Sequence, residues 1–114
     1  MYENSLTEKR QFSRASVECE LTVSPVNLPV LPATVINLSA SGIYCVCSRS
    51  IGELSRVNIV LRLNGGEDIR ARSVVIREEE LYDGSYGIGL FFTRITEQER
   101  KIIIEYTSDM ESTG

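Results

Sequence analysis

The sequence predicts an all-β domain with one terminal helix, folded as a six-stranded, mostly antiparallel β-barrel that the helix caps at one end. Three observations support this prediction. Apolar and polar residues alternate in several short runs, as they do in half-buried strands. Clusters of turn residues separate these runs. Near residue 96 the apolar spacing changes from that of a strand to that of a helix.

The first half of the chain contains three predicted strands. Between residues 15 and 24 every second residue is apolar, which indicates one face in a core. Three prolines between residues 25 and 32 predict a loop, because proline cannot donate a hydrogen bond to a β-ladder. Residues 34–38 and 43–47 are short strand candidates, and turn-forming residues lie between them.

The second half contains a predicted hairpin and a last strand. Residues 57–63 and 69–76 alternate on either side of Asn64-Gly65-Gly66, which is a strong hairpin signal. Residues 78–84, rich in Glu, Asp and Gly, are expected to form a solvated turn. The last strand is predicted over residues 86–92, where two glycines indicate a bulge or a close backbone approach.

One short helix is predicted after the last strand. Thr96 and Glu99 form a capping box, in which each side chain can bond the other residue's backbone N–H. Ile102, Ile103 and Tyr106 follow at helical spacing. We therefore predict a flexible N-terminal arm over residues 1–8, a single folded domain over residues 9–107 and an acidic tail over residues 108–114.

Composition restricts the class of function. The chain has 114 residues and a net charge of −4, so one domain is expected and non-specific binding to a nucleic acid polymer or to anionic lipid is not. With no histidine, a Ser-His or Cys-His nucleophile is impossible within the chain, and we expect no enzyme. No apolar run approaches membrane-spanning length and no signal peptide is evident, so we expect a cytoplasmic protein without membrane insertion.

Cysteine usage agrees with that compartment. Cys19, Cys45 and Cys47 are an odd number, so they make no complete disulfide framework. A metal site is not expected, because neither paired Cys-x-x-Cys motifs nor histidines are present. Buried structural thiols are the simpler interpretation.

Two polar motifs carry the chemistry. Arg10 and Arg14 lie four residues apart where the polar arm meets the first strand, and Asn37-x-Ser39-x-x-Gly42 lies between two later strands. Alone, the first is typical of a solvated pair and the second of a turn. Together they offer two planar forks that match phosphate and the O6/N7 edge of guanine, plus short polar groups on a turn. Such a set suits a small, doubly anionic ligand that carries guanine.

In these motifs the chain resembles the PilZ domain family of bacterial cyclic di-GMP receptors, whose pattern is R-x-x-x-R followed by (D/N)-x-S-x-x-G. Residues 86–92, before the helix, resemble the family's late glycine-containing strand. The resemblance covers roughly residues 9 to 107. It implies a PilZ-type barrel with a C-terminal helix and cyclic di-GMP as the ligand, with no other cofactor.

The resemblance also implies roles for single residues. Arg10 and Arg14 would hold guanine and phosphate, Asn37 and Ser39 would bond a guanine and the adjacent phosphate, and Gly42 would keep the turn open. Lys9 would take the place of a further basic residue, without the guanidinium fork. The resemblance leaves open whether one ligand or an intercalated ligand dimer binds. It also leaves open whether the protein is a monomer or a homodimer.

Three interpretations compete. The first is a cyclic di-GMP receptor that relays the signal to an unidentified effector protein, because the domain leaves no room for an output domain. The second is a PilZ-like interaction module in motility or pilus assembly that does not bind the nucleotide. The third is a small barrel that binds single-stranded nucleic acid, which the acidic charge and the absence of tryptophan disfavour.

Overall fold

The computed structural model describes residues 19–113, which form six strands and one helix. We number these elements in chain order. The strands are β1 (Cys19–Pro25), β2 (Leu31–Leu38), β3 (Gly42–Cys47), β4 (Arg56–Leu63), β5 (Asp68–Glu80) and β6 (Tyr86–Arg94). The helix is α1 (Glu97–Thr113). The predicted all-β fold with one terminal helix is therefore confirmed.

The strands close into an antiparallel barrel in the order β1-β2-β3-β6-β5-β4, with β4 paired back to β1. In this ring of six strands β3 lies opposite β4. Every second side chain points inward along β4, where Val57, Ile59, Leu61 and Leu63 are buried. Closure leaves the barrel without a free sheet edge, so the outer face of its strands is the surface available for binding.

The hairpin between β4 and β5 forms where the turn signal predicts it. Asn64 and Gly65 both have positive φ, at 53° and 70°, and the Gly66 N–H donates to the Leu63 carbonyl at 2.8 Å. Positive φ at both central residues is the type I′ geometry that matches the twist of the flanking strands. Asn and Gly are the residues that accept this geometry most readily.

The helix is attached to the barrel by its capping box and by the buried side chain of Ile103. The Thr96 hydroxyl accepts from the Glu99 N–H at 3.1 Å, and a Glu99 carboxylate oxygen accepts from the Thr96 N–H at 3.4 Å. Glu99 also accepts from the Arg70 N–H of β5 at 3.2 Å, so the first helical turn is attached to the barrel. Ile103 is fully buried in the core.

Four details differ from the sequence predictions. Ile102 is exposed although the helical spacing grouped it with Ile103 and Tyr106, because Ile103 takes the inward position of that turn. The helix continues through residues 108–113, which the sequence assigned to a tail. Strand β5 extends to Glu80, through residues expected in a turn. Strand β2 begins at Leu31, inside the predicted proline loop.

The cysteines are packing residues. Cys45 and Cys47 point from β3 into the core and are almost completely buried, and a hydrogen bond with Cys47 together with burial raises the pKa of Cys45. The half-buried Cys19 sulfur lies 3.5 Å from the Tyr106 hydroxyl. Among residues 19–108, whose side chains the structure describes, no group of His, Cys, Asp or Glu is arranged to hold a metal ion. In the same part of the chain no helix is long and apolar enough to cross a membrane.

Candidate functional site

The turn between β2 and β3 carries the Asn37-x-Ser39-x-x-Gly42 motif. The Ser39 N–H donates to the Gly42 carbonyl at 2.9 Å and closes the turn. The Ser39 hydroxyl lies 3.1 Å from the Ser41 hydroxyl and accepts from the Ser41 N–H at 3.3 Å. Ser39 therefore shapes the turn with both its backbone and its hydroxyl, and the residue remains exposed.

Two neighbouring elements hold this turn in place. The Phe92 N–H of β6 donates to the Ser41 carbonyl at 2.9 Å. From α1, the Arg100 guanidinium donates to the Ala40 carbonyl at 2.6 Å. The turn is thus fixed to both the barrel wall and the helix, and a ligand bound there meets preorganised polar groups.

A β-bulge aims Asn37 outward. The pairing of β2 with β3 shifts register between Val35 and Asn37, which leaves Ile36 without a direct partner in the pairing. As a result the neighbours Ile36 and Asn37 are both exposed, although strict alternation would bury one of them. Bulges commonly redirect a side chain near a binding site.

Gly42 is required by packing. A Cβ atom at this position would lie 2.0 Å from the Leu90 carbonyl oxygen of β6. The backbones of β3 and β6 therefore approach too closely for any other residue. The resemblance implied that Gly42 keeps the turn open; the structure adds that the space a side chain would need is already filled by the backbone of β6.

Asn37, Ser39 and Gly42 line one surface cleft of about 250 Å³ on the outer face of the barrel. Its other lining residues are Ser41 of the turn and seven residues of β3, β5 and β6: Ile43, Tyr44, Ile76, Arg77, Gly89, Leu90 and Phe91. Ile76 and Phe91 are about half exposed and give the cleft an apolar margin. A cleft with a few convergent polar groups beside apolar surface is a common form of small-ligand site.

A polar cluster that the sequence analysis did not find lies at the far side of this cleft. The Tyr44 hydroxyl donates to Glu79 at 2.7 Å, and Arg77 forms an ion pair with the same carboxylate at 3.3 Å. The Arg77 guanidinium also lies over the Tyr44 ring, 5.4 Å from its centroid, within range of a cation–π contact. No sequence motif signals this cluster, because its members come from two strands.

Each member of this cluster affects the ionisation of the others. Hydrogen bonds from Tyr44 and Arg77 lower the pKa of the Glu79 carboxyl. The hydrogen bond to Glu79 raises the pKa of the Tyr44 hydroxyl and also that of the Arg77 guanidinium. At neutral pH the cluster therefore holds one positive and one negative charge.

Three of the predicted site residues, Lys9, Arg10 and Arg14, lie outside the described residues. The structure brings the other three together in one cleft. Arg70 and Arg72 are exposed on the outer face and line a different cleft beside Arg94 and the start of the helix. Neither Asn37 nor Ser39 lines that second cleft.

Comparison with known proteins agrees with this architecture. The model of the PilZ domain family matches residues 8–109. A solved structure, that of the Bacillus subtilis Inhibitor of motility (MotI/DgrA), superposes with a TM-score of 0.74 at 17% sequence identity. The match covers 83% of this chain and 47% of that chain, so the likeness is one of fold over less than half of the other protein. No curated protein shows significant sequence similarity to this chain.

The family model spans nearly all of the chain, including the six strands, most of α1 and the Asn37–Gly42 turn. The closed barrel with a C-terminal helix is the fold that the sequence resemblance implied. The chain belongs to the PilZ domain family.

Proposed function

We propose that this PilZ domain is a receptor for cyclic di-GMP that relays the signal to a partner protein. The observation that carries the proposal is the convergence of Asn37, Ser39 and Gly42 on one cleft, in a chain that also contains Arg10-x-x-x-Arg14. In this proposal Asn37 and Ser39 bond guanine and phosphate, and Arg10 and Arg14 supply the forks that clamp the ligand.

The charge of the cleft supports a role for Arg10 and Arg14. Among the described lining residues Arg77 is the one cationic side chain, and Glu79 neutralises it. A ligand with two phosphates needs more positive charge than this cleft provides. The two arginines of the N-terminal motif are a suitable source, with Lys9 as a further point charge.

The output is proposed to be a new surface, made of bound ligand and the residues that close over it, which a partner protein recognises. The name of the structural neighbour refers to inhibition of motility, and we extend motility control to this chain as the process to test. The cytoplasm is the proposed compartment, because an odd number of thiols, two of them buried in the core, suits a reducing environment.

Calorimetric titration with cyclic di-GMP, cyclic di-AMP and GTP tests the proposal. We expect cyclic di-GMP to bind most tightly, because arginine donates to guanine O6 and N7 whereas adenine presents an N6 donor there. The measured stoichiometry separates a single ligand from an intercalated dimer. Equal affinity for the adenine dinucleotide would contradict the proposal, and no binding at all would favour the interaction module without nucleotide.

The same titration on Arg10→Ala and Arg14→Ala tests the roles of the two forks. Loss of a charge-assisted bidentate contact is expected to weaken binding by ~1.5–3 kcal/mol, which is about tenfold or more. Arg72→Ala is the matched control, since it removes an exposed arginine that lines another cleft. Variants of Arg10 and Arg14 that fold and bind like the wild type would disprove their assignment.

A further inference from the structure

We propose that Arg77 is an additional phosphate-binding residue of this cleft, and that Tyr44 and Glu79 position its guanidinium. The inference rests on the proposed nucleotide-binding function and adds a contact that the two sequence motifs do not contain.

The register places four residues in one row across the outer face of the barrel. Asn37 of β2 is paired with Tyr44 of β3, Tyr44 with Gly89 of β6, and Gly89 with Arg77 of β5. Neighbouring strands are ~4.8 Å apart, so the row extends roughly 14 Å from Asn37 to Arg77. A ligand held by Asn37 and Ser39 at one end of the cleft therefore extends towards Arg77 at the other.

Glycine at the third position of the row keeps this path open. Gly89 has no side chain, and a Cβ there would make only ordinary contacts with Ile76 and Arg77, at 3.5 Å or more. The floor of the cleft between Tyr44 and Arg77 is thus backbone. A ligand can approach it without displacing a side chain.

A second glycine fixes the Tyr44 ring. A Cβ at Gly87 would lie 2.0 Å from the Tyr44 hydroxyl oxygen, so the ring crosses β6 in contact with glycine backbone. Its hydroxyl then reaches Glu79 on β5 at 2.7 Å. Anchored at both ends, the ring forms a fixed surface beneath the Arg77 guanidinium.

Arg77 retains the capacity to bind a ligand. Its side chain is 64% exposed, and its hydrogen bond to Glu79 at 3.3 Å engages one of five N–H donors. Arginine matches phosphate with a planar fork, and the ring below holds that fork in place at little further entropic cost. Glu79 positions Arg77, but its negative charge also opposes an incoming phosphate.

Because Arg77 and Glu79 act on the ligand in opposite ways, substitutions of the two residues are expected to change cyclic di-GMP affinity differently. Arg77→Gln removes the charge and keeps a long polar side chain, and we expect cyclic di-GMP affinity to fall about tenfold. Glu79→Gln removes the competing carboxylate and keeps an acceptor for the Tyr44 hydroxyl, so we expect binding at least as tight as in the wild type. Arg72→Gln, the same substitution in another cleft, is expected to bind like the wild type.

Calorimetric titration of the three variants, with thermal melts to confirm folding, decides between the outcomes. Arg77→Gln within twofold of the wild type would overturn the proposal. Equal weakening by Arg77→Gln and Glu79→Gln would also overturn it, because the cluster would then act only through its structural integrity. Failure of the wild type itself to bind cyclic di-GMP would instead refute the proposed function, and the two failures are therefore distinguishable.

Discussion

At the scale of single residues, Gly42 belongs to the predicted ligand-binding motif and is also required for the packing of the barrel. Its missing side chain leaves room for the Leu90 carbonyl, and this contact sets the distance between β3 and β6. Asn37, near the end of β2, and Ser39, in the turn that ends at Gly42, line the same cleft as Gly42. Loss of binding on substitution of Gly42 would therefore report on the barrel wall as well as on the site.

We predict that Gly42→Ala destabilises the fold. The new methyl group would meet strand backbone at 2.0 Å, and backbone cannot rotate away as a side chain can, so a cost of at least ~1–3 kcal/mol is expected. Chemical denaturation measures the difference in the free energy of unfolding. Gly89→Ala is the matched control, since its methyl group has room on the same cleft and should leave stability nearly unchanged.

The motif residues and the Tyr44 cluster differ in how far sequence could predict them. Asn37, Ser39 and Gly42 are five residues apart at most, and a local turn brings them to one cleft, so a spacing pattern is enough. Arg77 and Glu79 reach Tyr44 only through the pairing of β3 with β6 and of β6 with β5. That pairing depends on two bulges between β5 and β6 and on Gly87 beneath the Tyr44 ring, which hydrophobic alternation does not encode.

At the scale of elements, the alternation of apolar and polar residues predicts where strands occur better than it predicts where they begin and end. Strand β5 continues to Glu80 because residues 78–80 still pair with Tyr86–Ile88 of β6, although three consecutive glutamates suggest a turn. Pro32 is accommodated in β2 because pairing with β3 starts only at Thr34, so Pro32 has a neighbouring strand on one side. In both cases the partner strand, which is remote in sequence, decides the boundary.

Glu78 connects β5 to the loop between β3 and β4. Its carboxylate accepts from the Ser50 hydroxyl, from the Ile51 N–H at 2.9 Å and from the Gly52 N–H at 2.8 Å. Burial alone would raise the pKa of Glu78, but the hydrogen bonds from Gly52, Ser50 and Ile51 together lower it. The ionised form is therefore favoured in the folded state.

We predict that Glu78→Ala lowers the free energy of unfolding at pH 7 by ~1–2 kcal/mol, because two backbone N–H groups lose their acceptor. A lowered folded-state pKa stabilises the fold above the unfolded-state value, near ~4.3, and the stabilisation is lost as pH falls below it. The difference between wild type and variant should thus shrink from pH 5 to about pH 3. Glu80→Ala, which removes an exposed carboxylate of the same strand, should show neither effect, and a difference that is independent of pH would contradict this account.

At the scale of the whole molecule, the closed barrel separates the cleft from the rest of the surface. Turn 39–42 is attached to β6 through Phe92 and to α1 through Arg100, and the row from Asn37 to Arg77 crosses four consecutive strands of the ring. Strand β4 borders β5 but lies opposite β3, the strand that carries Tyr44 and Gly42. A ligand in the cleft should therefore affect one side of the barrel and leave β4 largely unaffected.

Amide hydrogen exchange with and without cyclic di-GMP tests this one-sided response. If Arg10 and Arg14 clamp the ligand in the cleft, residues 5–14 become part of the bound complex, and their exchange should slow together with that of residues 37–42. Ligand binding produces this change only through its higher affinity for the closed arrangement, so the protection should saturate with the calorimetric binding curve. Residues 57–63 of β4 provide the internal control and should exchange equally fast in both states. If binding is confirmed but residues 5–14 exchange as fast with ligand as without it, closure of the N-terminal segment over the cleft is wrong, and the partner must recognise the ligand-filled barrel face alone.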